Sequence, residues 1–174
     1  MKKIFVGMLV IVIIVLFIWL QINFFNYFGL FGVIPNAGII LITIISLSAG
    51  KNIGAITGVV YGLLYDSCFG TSFGIYTLLF GLMGYCVGLI KGEISHDNKI
   101  SVFFIISIST VFIEIAYLII IFLKHADMDF SLIYILKVVL LEAIYNVFIT
   151  FVLYKPLMLL GDIINRSRRA YYEL

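Results

Sequence analysis

The chain has 174 residues, 64% of them hydrophobic and 11% charged, with a formal net charge of +2 and a mean hydropathy of +1.24. Soluble domains carry roughly 45–50% apolar and about 25% charged residues, so this composition excludes a water-soluble globule. The apolar runs are solid rather than alternating with period two, which excludes a β-barrel and predicts membrane-spanning helices whose backbone groups are satisfied internally.

A spanning helix needs about 20 apolar residues, so the length predicts six helices on short loops and no separate catalytic domain. The fold class expected is an all-α integral membrane protein, one compact six-helix bundle over residues 1–165 with a short basic cytoplasmic tail at 166–174. The first segment, Ile4–Ile22, follows Met1-Lys2-Lys3 as a signal peptide would. It is longer than an h-region, however, and Gln21-Ile22-Asn23-Phe24 offers no small-residue cleavage site, so it is read as a retained span. The second segment runs from about Leu30 to Leu47 with Pro35 in its first turn, where a missing N–H is tolerated. The third covers about Ile53–Phe69 and the fourth about Phe73–Ile90. The fifth is Val102–Leu123 and the sixth Leu132–Leu153, ended by Lys155-Pro156.

Basic residues set the expected orientation. With six spans, Lys2, Lys3, Lys51, Lys91, Lys99, Lys155, Arg166, Arg168 and Arg169 fall on one side, and the opposite loops carry only Lys124. The positive-inside rule then places both termini of a multi-pass membrane protein in the cytoplasm. The tail Arg166-Ser167-Arg168-Arg169, with Tyr171 and Tyr172, suits contact with anionic lipid rather than nucleic acid. Cys68 and Cys86 fall at different depths on that topology, too far apart for a disulfide.

Ten of the fifteen glycines lie between Gly50 and Gly92. Gly54, Gly58 and Gly62 follow Gly50 at four-residue spacing, with Asp66 next in the series; Gly81, Gly84 and Gly88 form a related stripe on the fourth helix. Gly70 and Gly74 lie in and beside the turn between these helices. Small-residue faces are how membrane helices pack, so these positions serve internal packing or docking of a partner. Four ionisable groups fall within or beside spans: Asp66, Glu114, Lys137 and Glu142. Each should face protein or water. Depth favours a Lys137–Glu114 pair, and Asn146 shares a helix face with Glu142, giving an intramembrane polar network. Asp66, near a helix end, is open to a functional role or to a capping one.

No nucleophile–base constellation is present, and His96 and His125 lie on opposite sides of the membrane. His125, Asp127 and Asp129 read as a solvated acidic loop rather than a metal site. No cofactor and no nucleic acid is implied.

The run Gly58-Val59-Val60-Tyr61-Gly62-Leu63-Leu64-Tyr65-Asp66, then Gly70, Phe73-Gly74-Ile75-Tyr76 and Leu78, resembles the MreD family of bacterial rod-shape-determining membrane proteins. Pro35 fits that pattern, as do Glu142-Ala143-Ile144-Tyr145-Asn146 and Tyr154-Lys155-Pro156-Leu157, so the likeness covers nearly the whole chain. At Ser72-Phe73 the chain departs from a proline often found before the second glycine of the turn. The resemblance implies a non-enzymatic part in the cell-elongation assembly of lateral peptidoglycan synthesis. Its partners there would be the single-span MreC, the actin-like MreB and peptidoglycan synthases. It also implies a fold similar to the S-components of energy-coupling-factor vitamin transporters. A substrate-binding S-component is itself the alternative, with Asp66, Glu114, Lys137, Glu142 and tyrosines lining a cavity. Against it, the first helix lacks the Ala-x-x-x-Ala face with which those subunits dock. An intramembrane enzyme built on Glu114 and Glu142 is a third reading, weakened by Lys137 beside them.

Overall fold

The computed structural model describes residues 2–29, 32–69, 73–92, 98–124 and 132–172. Their backbone is all-helical: α1 (Lys2–Asn23), a 3-10 turn at Phe25–Phe28, α2 (Ala37–Ala49), α3 (Lys51–Phe69), α4 (Ile75–Leu89), α5 (Lys99–Lys124) and α6 (Leu132–Tyr172). Three stretches are long and apolar enough to cross a membrane: Phe5–Tyr27, Lys99–Lys124 and Leu136–Asn165. Ala37–Ala49 and Ile75–Leu89 are shorter apolar helices.

α2 organises the rest. Its sequence, AGIILITIISLSA, is apolar nearly all round, and every one of its residues is buried. A helix without a polar face needs neighbours on every side, and α2 packs against α1, α3, α4, α5 and α6. Its 13 residues rise only about 20 Å against a hydrocarbon core of about 30 Å. The chain leading into it therefore reaches membrane depth without being helical. Val33 and Asn36, on that leading segment, are 3% and 5% exposed.

The start of α2 differs from the expectation of a helix from Leu30 with Pro35 in its first turn. Pro35 precedes the helix altogether, and Leu30 and Phe31 lie outside the described residues. Two local effects explain the later start. A proline disfavours helical backbone in the residue before it. Asn36 is held extended at φ −104°, ψ 96°, where its side chain accepts from the N–H groups of Gly38 and Ile39 as an N-cap. At the other end Gly50 alone joins α2 to α3. Its φ of 89° belongs to the region that favours glycine, and its N–H donates to the Ser46 carbonyl.

α6 also differs from expectation, continuing through Pro156 to Tyr172 instead of ending at Leu153. The proline removes one helical N–H and crowds the preceding turn. Packing carries the helix across it: Leu157, Leu160 and Ile164 are 4%, 5% and 2% exposed on the same core as α2. The expected tail from 166 onward is helical as far as Tyr172.

Candidate functional site

The glycine stripes of α3 and α4 face each other. A Cβ on Gly58 would run into the Phe80 carbonyl, and one on Gly84 into the Gly54 carbonyl. A Cβ on Gly62 would lie 2.5 Å from the Thr77 Cα. Gly88 is closed in the same way by the backbone of Gly50 and Lys51, whereas Gly81 meets the Val59 side chain at 2.9 Å. The bare faces thus bring two backbones into direct contact, the close approach that small residues allow in lipid. Gly70 lies outside the described residues. Gly74 has open space around it and a φ of 99°.

Asp66 closes the top of this pair. It is 4% exposed, near the C-terminus of α3, and both carboxylate oxygens face the first turn of α4. Oδ2 accepts from the backbone N–H groups of Gly74 (3.0 Å) and Thr77 (2.9 Å) and from the Thr77 hydroxyl (2.7 Å). Oδ1 accepts from the Tyr76 N–H (3.1 Å). Helix N-termini expose unpaired donors and a partial positive charge. Asp66 answers both from the neighbouring helix, as an N-cap supplied across a turn.

A second polar cluster locks the start of α2. Gln21 of α1 donates from Nε2 to the Pro35 carbonyl (3.0 Å) and accepts at Oε1 from the Ala37 N–H (2.9 Å). Asn146 of α6 accepts at Oδ1 from the Asn36 N–H (2.8 Å) and donates from Nδ2 to the Thr110 hydroxyl on α5 (2.9 Å). Thr110 in turn donates to the Ile106 carbonyl (2.9 Å). Four helices meet at this latch. It gives the non-helical backbone at 35–36 and the first N–H of α2 the partners that lipid cannot provide.

Of the remaining polar residues, Glu114 of α5 and Glu142 of α6 face each other, with Asn146 beside Glu142. Glu142 is 6% exposed. Lys137, expected beside Glu114, is exposed on α6. Close by, the rings of Tyr65, Tyr76 and Tyr117 meet across α3, α4 and α5, Tyr65 edge-on to Tyr76 and Tyr76 stacked on Tyr117, with centroids 4.7 Å apart in each pair. Reading the sequence missed Gln21, Asn36 and Thr110. Their only signal was being amides and a hydroxyl inside or beside apolar runs.

What this arrangement does chemically is hold helices together. The Asp66 carboxylate is saturated with donors, and no group of three metal-ligating side chains occurs among the described residues. Cys68 and Cys86 are free and exposed. His96, His125, Asp127 and Asp129 lie outside the described residues.

A protein-family model described as rod shape-determining protein MreD matches residues 1–164. No curated protein and no solved structure matches the chain.

Proposed function

The chain belongs to the MreD family of rod shape-determining proteins, and from that premise we propose that it is a non-enzymatic membrane scaffold of the bacterial cell-elongation complex. In this role it binds an MreC-like single-span protein and, with MreB and peptidoglycan synthases, supports lateral wall synthesis. The observation that carries the reading is how Asp66, Gln21 and Asn146 are used. Asp66 joins α3 to α4, and Gln21 and Asn146 join α1, α5 and α6 to the start of α2. Catalysis needs positioned groups left free to meet a substrate, whereas these are engaged in fixing the bundle. The small faces of α3 and α4 are likewise occupied by each other. Docking then falls to the outward apolar faces of the peripheral helices, such as Ile11 and Trp19 on α1 and Phe104 and Ile108 on α5. Six passes with both termini cytoplasmic fit the one-sided distribution of Lys and Arg.

The test is photo-crosslinking in native membranes from each of those four positions, followed by gentle-detergent purification and identification of what is attached. The scaffold reading expects a single-span protein crosslinked from one helix face, with MreB-like and peptidoglycan-synthesis proteins co-purifying. Recovery of an ATP-driven coupling module, with saturable binding of a vitamin-sized ligand, would overturn it and make the protein a transporter subunit.

A further inference from the structure

α5 and α6 pack side by side in opposite directions, Phe103 meeting Phe151 and, further along, Thr110 bonding Asn146. That register fixes what comes next. Glu114 lies one turn after Thr110 and Glu142 one turn before Asn146, so the two acids are brought level on the shared seam. Their carboxyls face each other there. Glu142 is buried and Glu114 half-buried. The titratable groups turned toward them are Tyr65 of α3, Tyr76 of α4 and Tyr117 of α5. Asp66, beyond Tyr65, has its oxygens taken up by the start of α4. Lys137, five residues before Glu142, is exposed on α6, and α2 carries no titratable side chain.

We propose that Glu114 and Glu142 hold one proton between them at neutral pH, making the seam between α5 and α6 a proton-binding site. One carboxylate inside a membrane bundle is costly, and two facing each other also repel. A single shared proton turns that repulsion into a charge-assisted hydrogen bond, the acid O–H donating to the carboxylate oxygen. A metal ion fits the place less well. Calcium takes about six to eight oxygen ligands, and the oxygens one turn away are committed: Asn146 Oδ1 to the Asn36 N–H, and the Thr110 hydroxyl as donor to the Ile106 carbonyl and acceptor from Asn146. Loss of the proton sets two charges against each other one turn from Asn146, so it loosens the hold of α6 on the start of α2.

Around neutrality the folded chain then binds one proton that the unfolded chain, with its glutamates ionised, does not. Stability therefore falls as pH rises. The full chain is unfolded reversibly by dodecyl sulfate in mixed micelles at several values between about pH 6 and 8. The same series is run on the double variant Glu114→Gln/Glu142→Gln, whose amides can still bond each other. Histidines and cysteines titrate alike in both chains and cancel. The native unfolding constant should rise about tenfold more per pH unit than the variant's, the slope for one proton. An equal slope, a difference of about a hundredfold (two protons), or a stability that follows sodium or potassium concentration instead would each overturn the proposal. A second measurement needs no variant. Infrared spectra of the native chain carrying isotope-labelled glutamate should show, at neutral pH, a label-shifted carbonyl absorption from one protonated carboxyl. Its absence would overturn the proposal even if the double variant did not fold.

Discussion

Asp66 accepts four hydrogen bonds and is almost shut off from the surroundings. Removing its carboxyl takes the acceptor from four part-buried donors at the start of α4, so Asp66→Ala should destabilise the protein by about 1–2 kcal/mol. Asp66→Asn keeps one acceptor oxygen, turns the other into a donor facing N–H groups, and should fall between the two. Thermal unfolding in mild detergent would check both; a neutral Asp66→Ala would mean the cap contributes nothing. Asn146 is fully buried and bonded to both Asn36 and Thr110. Asn146→Leu has similar bulk but leaves the Asn36 N–H without an acceptor, a loss of about 1–3 kcal/mol. Hydrogen exchange should then rise first at 36–39 and not along α4. The sequence placed both residues as polar members of a membrane bundle without revealing their partners. Asp66 serves donors 8 to 11 residues downstream, and Asn146 serves one 110 residues upstream. Neither separation leaves a periodic trace.

At the scale of elements, the glycine stripes were legible as packing faces because four-residue spacing survives in any sequence. Which surface covers them was not legible, since a partner helix and a neighbour in the same chain ask for the same spacing. The geometry predicts that the cost of a side chain follows backbone contact rather than glycine as such. Gly58→Leu drives the Phe80 carbonyl away and should leave little folded protein, overpacking of a tight site costing about 1–3 kcal/mol or more. Gly7→Ala, on the outer part of α1 with nothing within 4 Å, should be neutral or raise stability by under about 1 kcal/mol. Comparing yield and detergent unfolding temperature for the pair separates the two cases. The start of α2 was not legible in the sequence. An even run of apolar residues marks membrane depth but not where a helix begins. Its start depends on Asn36, Gln21 and Asn146 meeting in space.

For the whole molecule, succession of the helices puts the ends of α1, α3 and α5 at the same face as Asp66. The α2–α3 junction at Gly50, the start of α5 and the far part of α6 lie at the other. Lys91 donates to Asn165 of α6 across that second face (3.1 Å), and Lys99 lies 5.7 Å from the Tyr154 ring centroid. Reporter fusions at the N-terminus and after Tyr172 are expected to report the same, cytoplasmic compartment. A reporter placed in the 125–131 segment is expected to report the opposite one. Opposite signals from the two termini would mean an odd number of passes and a different role for the short helix α2. Overall class and approximate helix count were readable from hydropathy alone, because hydrocarbon solvent imposes them. The nesting of one partial span inside five neighbours was not, since it depends on contacts rather than composition.

That nesting bears on how the protein is made. The ribosome delivers Asn36 long before Asn146, and at about 5–20 residues per second the intervening 110 residues take on the order of 5–22 s. Throughout that interval the growing chain holds a polar backbone end in or near the bilayer with its final acceptor not yet synthesised. Until α6 is translated, α2 needs lodging at the membrane's edge or the shelter of the insertion machinery. Chains terminated before α6 should accordingly be cleared by membrane proteases rather than persist as smaller folded products.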